Sequence, residues 1–387
     1  MRILIDYRPA LKEPTGVGAY IHGLVLALLE LKRAGDPDAR GLDLTLFSSS
    51  WRDRLVSSAA AELTGARQAD ARIPGRLLNH AWHRLRWPPV ESLAPGPFDV
   101  VHSATPVLLP ARAGLRVSTI CDLDFLHHPD RAWGEMRADF PRLAGEHGRA
   151  ADLVVTISAY SANAIARELA IPEAKIVVCR PGVPRWIGSA SPAIPREGGY
   201  ILFVGTLEPR KNIPGLLDAY QRMLARWPDA PRLVIAGRPT PPAHVWIARA
   251  SGEAFKGRVE IRGYLSDQDR LAAYRGAAVL VLPSFDEGFG LPALEAMALG
   301  VPVIVSNRGA LPEVVGDAGL QVDPGDVEGL ADAMRRVTTQ PSIQWACQDA
   351  GLARAKAFDW LESARHLLQR YAEARQRRQT DRPGGAS

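Results

Sequence analysis

The stretch Glu287-Gly288-Phe289-Gly290-Leu291-Pro292-Ala293-Leu294-Glu295 decides how this chain is read. The residues before it, Val279-Leu280-Val281-Leu282-Pro283-Ser284, form an apolar run of the kind buried on both faces of a parallel sheet. Pro292 stands at a helix start, where its missing N–H breaks no hydrogen bond. Strand, glycine turn and helix start together leave backbone N–H groups pointing outward, a site for an anion such as a diphosphate. A carboxylate one turn inside that helix, Glu295, does not suit phosphate, but it can accept the paired hydroxyls of a ribose or hexose. Anion cradle and hydroxyl acceptors side by side fit a nucleotide-sugar; the plainer alternative is two solvated surface charges.

The run extends through Glu295-Ala296-Met297-Ala298-Leu299-Gly300-Val301-Pro302-Val303-Ile304. From Pro283 to Ile304 it resembles the C-terminal signature of the retaining glycosyltransferases of family 4. The resemblance implies an α/β fold of the GT-B type. In that fold two Rossmann-like domains face each other across a cleft, and a C-terminal helix crosses back to the N-terminal domain.

Length and composition agree with this. A chain of 387 residues, 47% of them hydrophobic, can build two cores. The sequence enters directly into the strand Arg2-Ile3-Leu4-Ile5-Asp6 with no charged-then-apolar leader, and no apolar run reaches the ~18–20 residues of a membrane span. Cys121, Cys179 and Cys347 are far apart, without the paired spacing of a disulfide framework or a zinc site. The expectation is a cytoplasmic, reduced enzyme. A net charge of +5 is compatible with anionic sugar nucleotides or lipid headgroups, and no dense basic patch with interleaved aromatics points to nucleic acid.

Short apolar strands alternate with helical segments along both halves. The first half has strands at Arg2–Asp6, Leu42–Phe47, Asp99–His102, Val117–Cys121, Leu153–Ile157 and Lys175–Cys179. The second has them at Tyr200–Val204, Arg232–Ala236, Val259–Ile261, Ala278–Pro283 and Pro302–Ser306. The Ser/Pro/Gly-rich segment 188–199 reads as a linker. The expected domains are 1–187 (acceptor side) and 200–357 (donor side). Residues 358–378 form an amphipathic helix with Trp360, Ala364, Leu367, Leu368 and Tyr371 on one face, and 379–387 a disordered tail. The resemblance places that helix back on the N-terminal domain.

Three further segments carry chemistry. Gly205-Thr206-Leu207-Glu208-Pro209-Arg210-Lys211-Asn212 follows a strand and places two cations at a helix start, where they oppose the macrodipole. It resembles the family element whose Arg and Lys bind the donor diphosphate, which implies that role for Arg210 and Lys211. Gly16-Val17-Gly18 opens a helix after the first strand. An NAD fingerprint is opposed by the missing third glycine, the long loop from Tyr7 and the lack of an acid ending the next strand. In the family this loop offers amides to the donor phosphate. Asp122-Leu123-Asp124 has the spacing of a metal-binding Asp pair, yet the segment Ser118 to Pro129 resembles a family element usually ending Thr-x-His-Asp. There the His contacts the transferred sugar; this chain has Cys121 in its place, while Asp122 matches.

Finally, residues 71–90 contain no acid. At helical spacing Ile73, Leu77, Leu78, Ala81, Trp82 and Leu85 share a face opposite Arg72, Arg76, His80, His83 and Arg84. This reads either as a basic helix lying on an anionic membrane or as an ordinary surface helix.

The expected activity is a retaining, metal-independent hexosyl transfer, of mannose or glucose, from a nucleoside-diphosphate-sugar to a hydroxyl of a lipid-linked or oligosaccharide acceptor in polysaccharide synthesis. By resemblance Glu295 holds the donor ribose and Glu287 the sugar hydroxyls. Gly288, Phe289, Gly290 and Leu291 offer amides, Gly205 lies against the donor, Arg210 and Lys211 bind the diphosphate, and Cys121 and Asp122 face the sugar. The rival readings are a sugar-nucleotide epimerase of the same fold and a non-catalytic sugar-nucleotide-binding protein.

Overall fold

A computed structural model describes residues 1–11, 16–51, 61–129, 135–188 and 198–380. The chain forms two compact units. One comprises Met1–Gly182 together with the segment from Asp359 onward, the other Val183–Phe358.

The first unit is built on seven parallel strands: β1 (Arg2–Asp6), β2 (Asp43–Ser48), β3 (Arg67–Asp70), β4 (Val100–Ser103), β5 (Leu115–Thr119), β6 (Leu153–Thr156) and β7 (Ile176–Val178). Their order is β3-β2-β1-β4-β5-β6-β7. The second unit has six parallel strands: β8 (Tyr200–Val204), β9 (Leu233–Ala236), β10 (Val259–Arg262), β11 (Ala277–Leu282), β12 (Val303–Ser306) and β13 (Leu320–Val322), ordered β10-β9-β8-β11-β12-β13. Each unit is Rossmann-like, as expected. In each, the strand order reverses beside the first strand, between β1 and β4 and between β8 and β11. At such a switch point the loops leaving the carboxyl ends diverge and open a crevice for ligand. The central strands are apolar on both faces: all six residues of β11, Ala-Ala-Val-Leu-Val-Leu, are buried.

Two strands escape the sequence reading, β3 and β13. Both sit at sheet edges; β3 is Arg-Gln-Ala-Asp with only Ala69 buried, so it carries no apolar run to find. The unit boundary also differs from the expected one at 187/188. Val183–Ile187 pack with the second unit, because the Val183 amide donates to the Phe358 carbonyl at 3.1 Å and Trp186 stacks on Tyr274. Most of the expected linker, 189–197, and the tail 381–387 lie outside the described residues.

The last helix, Trp360–Thr380, completes the core of the first unit against helix Val17–Arg33. Its buried face is Trp360, Ala364, Leu367, Leu368 and Tyr371, and each large apolar side chain so buried contributes about 1.5–3 kcal/mol. Trp360 lies over Gly23, where a Cβ would come within 2.4 Å of the indole, and its ring meets that of Tyr20 at 5.8 Å with a 40° tilt. Tyr371 shares a 2.7 Å hydrogen bond with Nδ1 of His102, whose Nε2 meets Thr119 at 2.7 Å. Burial holds His102 down at about 4, so the ring is neutral at physiological pH.

The segment 71–90 is not one amphipathic helix. It folds as helix Gly75–His80, continued by a wider turn over Ala81–Leu85. Leu78 and Trp82 point into a core with Phe47, Val90, Phe98 and Leu109. The Trp82 indole N–H donates to the Pro88 carbonyl at 2.8 Å, and the Arg8 guanidinium lies 4.7 Å over its ring. An indole finding apolar neighbours and a polar partner inside the fold has no reason to stay in water. The expected apolar face is therefore split: Leu77 and Leu85 remain exposed, joined by Trp87. His83 turns to Asp139 at 2.9 Å, leaving the expected basic face.

Candidate active site

Two loops leave the switch point of the second sheet. The first, after β8, runs from Gly205 into the tight turn Pro209–Lys211. Asn212, at φ 55°, reverses the chain, caps helix Ile213–Arg226 by accepting from the Gly215 amide, and donates to the Pro324 carbonyl at 2.8 Å. The second loop, after β11, carries Ser284 to Gly290. Gly290 adopts φ 102°, a conformation glycine takes readily, and so turns the chain into helix Leu291–Ala298 with Pro292 in its first turn. The Phe285 amide donates to the Arg210 carbonyl at 2.8 Å, which ties the two loops together.

Glu287 is the centre of this arrangement. Its Oε1 accepts from Lys211 Nζ at 2.5 Å and Ser284 Oγ at 2.8 Å, and its Oε2 from Arg210 at 3.1 Å. Arg210 also pairs with Glu208 at 2.6 Å and donates to the Asp286 carbonyl at 3.2 Å. Burial would push the Glu287 carboxyl up, but the Lys211 and Arg210 charges with the Lys211 and Ser284 hydrogen bonds hold it down at about 2. The loop after β12 supports it from behind. The Ala310 amide donates to the Glu287 carbonyl at 2.9 Å, and Gly309 approaches so closely that a Cβ would come within 2.6 Å of the Glu287 nitrogen.

Glu295 sits two turns further along, buried in helix Leu291–Ala298. Its Oε1 accepts from Arg270 at 3.0 Å and its Oε2 from the Tyr274 hydroxyl at 2.7 Å. Here burial prevails over the Arg270 charge and the Tyr274 hydrogen bond, and the carboxyl lies above its ordinary value. Of the glycine-turn residues, Phe289 is buried and packs edge-on against Phe358 at 5.7 Å, so its side chain belongs to the core. Leu291 is half-buried at the helix start, where N–H groups have no intrahelical acceptor.

Thus the second unit brings together Arg210, Lys211 and Glu287, places Gly205 at the start of the loop after β8, and sets Glu295 in the helix that follows the β11 loop. The sequence reading missed Glu208, Arg270, Tyr274 and Trp186. Ser284 stood inside the quoted motif without a role.

The first unit holds its expected residues at the carboxyl ends of its own strands. Gly16, at φ 56°, caps the helix that Val17 and Gly18 open after β1, and a Cβ on Gly18 would meet the Pro9 carbonyl oxygen at 2.4 Å. Residues 12–15 of that loop lie outside the described residues. Cys121 and Asp122 follow β5. The Cys121 carbonyl accepts from Ser161 Oγ at 2.8 Å, and Asp122 Oδ1 from the Asp124 amide at 3.3 Å. Burial, and then the Asp122 carboxylate, push the Cys121 thiol far up, so it is a protonated thiol. Among the described residues no group of three or more His, Cys, Asp or Glu side chains could hold a metal ion, and no helix is long and apolar enough to cross a membrane.

Two family models match the chain: "Glycosyltransferase Family 4" over residues 16–185 and "Glycosyl transferases group 1" over 198–340. An O-antigen chain mannosyltransferase B from Escherichia coli is 33% identical over 285 residues, covering 70% of this chain and 74% of that protein. Among solved structures, a sucrose-phosphate synthase from Thermosynechococcus elongatus superposes with TM-score 0.71 at 21% identity, over 96% of this chain and 98% of that one. Anabaena HepE, solved with UDP and glucose, gives TM-score 0.65 at 17% identity, over 96% and 100% of the two chains. The fold is GT-B, the protein is a glycosyltransferase, and the chain belongs to the group 1 glycosyl transferases.

Proposed function

We propose that the protein transfers a hexose, mannose or glucose, from a nucleoside-diphosphate-sugar to a hydroxyl of a lipid-linked polysaccharide precursor, with retention and without a metal ion. The observation that carries this is the trio Lys211, Arg210 and Glu287 at the carboxyl ends of β8 and β11. Two cations on adjacent positions neutralise the charge that builds on a leaving diphosphate, the largest stabilising effect open to such a reaction. Glu287, fully ionised, accepts hydroxyls of the transferring sugar, and Glu295 accepts those of the ribose. The helix-start amides of Gly288 to Leu291 and those of Gly16, Val17 and Gly18 donate to phosphate, and Gly205 admits the donor closely. By the same reading Cys121 and Asp122 contact the transferred sugar. In the retaining step the acceptor oxygen bonds to the anomeric carbon on the face the diphosphate leaves, and its proton passes to the departing phosphate oxygen.

The choice of mannose and of a polysaccharide precursor follows the similarity to the O-antigen mannosyltransferase. A peripheral hold on the cytoplasmic membrane face is supported by exposed Leu77, Leu85 and Trp87 beside exposed Arg76 and Arg84. The test is nucleoside-diphosphate release from GDP-mannose and UDP-glucose with and without a polyprenyl-diphosphate-linked oligosaccharide. Release that depends on acceptor, persists in chelator and yields an α-linked product by NMR supports the reading. Release without acceptor, loss in chelator or inversion overturns it.

A further inference from the structure

Glu295 lies at the inner end of a stack of side chains that begins where the chain enters the second unit. Trp186 stands in the short turn Arg185–Ile187, just past the Gly182–Val183 boundary. Its ring lies nearly parallel to that of Tyr274, centroids 6.4 Å apart at 16°, and the Arg270 guanidinium is 5.5 Å from its centre. Arg270 and Tyr274 are one turn apart on helix Asp267–Arg275, and each then gives one hydrogen bond to a different oxygen of Glu295. A carboxylate has about four lone-pair positions. With two taken, one on each oxygen remains, which matches two neighbouring hydroxyls.

We propose that Arg270 and Trp186 are positioning residues for the nucleoside end of the donor: Trp186 holds Arg270, and Arg270 fixes the orientation of Glu295 and supplies its counter-charge toward the ribose. This rests on the reading of Glu295 as the ribose acceptor. Among the described residues the Arg270 guanidinium is the one cation bonded to this carboxylate, which burial and Asp267 otherwise push toward its protonated form. A protonated carboxyl gives up acceptor capacity to its own hydrogen. The titratable and charged groups facing Glu295 are Arg270, Tyr274 and Asp267, all on one helix. Of the other elements against its helix, Leu311–Val315 carries Glu313, and Pro341–Ala355 carries Cys347, Asp349 and Arg354. The Arg354 guanidinium is engaged by the Val314 and Glu313 carbonyls. β11 and β12 bring no charge.

The experiment measures binding of GDP and UDP, and of their 2′,3′-dideoxy counterparts, by calorimetry between pH 6 and 9. The proteins are wild type, Arg270→Met, Arg270→Lys and Trp186→Leu, each with its melting temperature. Wild type should favour the ribose form of the nucleotide it binds by about tenfold or more, with little change across the range. Arg270→Met should lose most of that preference at pH 6 and recover part of it toward pH 9, as Glu295 ionises. Arg270→Lys should restore the flat profile, and Trp186→Leu should lose part of the ribose preference across the whole pH range. Equal binding of ribose and dideoxy forms by wild type, or no binding of either nucleotide, removes the ribose reading of Glu295. A wild type that discriminates, beside Arg270→Met and Trp186→Leu variants that discriminate equally with flat profiles, overturns the positioning role alone.

Discussion

Glu287 and Glu295 belong to one loop and helix and are buried alike, with 5% and 3% of their surface exposed. Yet one is held far below the ordinary carboxylate range and the other lies above it. Burial raises both, so it cannot be the difference. Glu287 has two cations and a hydroxyl, whereas Glu295 has one cation, a phenol and the repulsion of Asp267. The second cation and the Ser284 hydroxyl on one side, and the Asp267 charge on the other, set the two directions apart. The two residues thereby become different instruments. Glu287 is a fixed negative charge within a cationic pair, and Glu295 is a hydrogen-bonding carboxyl with Arg270 as its one counter-charge and Tyr274 as its second donor.

The largest effect should come from removing the cations that distinguish the two. Lys211→Ala and Arg210→Ala should each lower turnover by about 10²–10³-fold, because the charge they meet develops only as the phosphate leaves; each should also melt lower than wild type, because the buried Glu287 carboxylate keeps one cation fewer. Near-normal kinetics in both would break the assignment of this pair to the diphosphate. Next in size, Glu295→Ala should weaken nucleoside-diphosphate binding by about 1.5–3 kcal/mol, or roughly 10–150-fold. Glu287→Ala should act chiefly on turnover, and calorimetry with the reverse ranking would mean the two roles are exchanged.

Stability against pH sharpens the comparison further. Glu287 titrates lower in the folded state than unfolded, so its contribution is complete above an unfolded value of ~4.3 and is lost as pH falls through about 2. Glu295 has the opposite sign: its contribution is complete below the unfolded value and is lost as pH rises through the folded one. In acid denaturation followed by circular dichroism, Glu287→Gln should flatten the rise of stability with pH below ~4.3, and Glu295→Gln should steepen it just above. Parallel curves for both variants would remove the electrostatic distinction. The smallest effect is expected at Cys121, a half-buried thiol with a carboxylate beside it, which stays protonated. Cys121→Ser should keep most activity, while Asp122→Asn loses most of it without unfolding. The reverse order would give the chemistry to the cysteine.

What could be read from sequence was local. Glu287, Glu295 and the glycine turn between them sit on one continuous strand–turn–helix, so their spacing already holds their geometry. The apolar runs of β1, β8 and β11 are legible for the same reason. The supports of Glu295 were not, because the helix carrying Arg270 and Tyr274 and the turn carrying Trp186 are elements that only the folded second unit brings to it. Asp-Gln-Asp-Arg around Arg270 looks like any solvated helix start. Trp82 shows the converse. Its spacing with Leu77 and Leu85 is helical, but the helix widens at Ala81 and turns the indole inward, a change that no count of positions reveals.

The dependence of the first unit on the helix Trp360–Thr380 has a consequence for synthesis. On the ribosome, the strands of that unit emerge first, yet Trp360, Leu367, Leu368 and Tyr371 emerge after the entire second unit. The second unit is one continuous stretch of chain and can close as soon as Phe358 is free. Until then the nascent first unit leaves the apolar side of helix Val17–Arg33, including Tyr20 and the groove over Gly23, uncovered. Of the two units, the one whose strands are made earlier is the one that matures later.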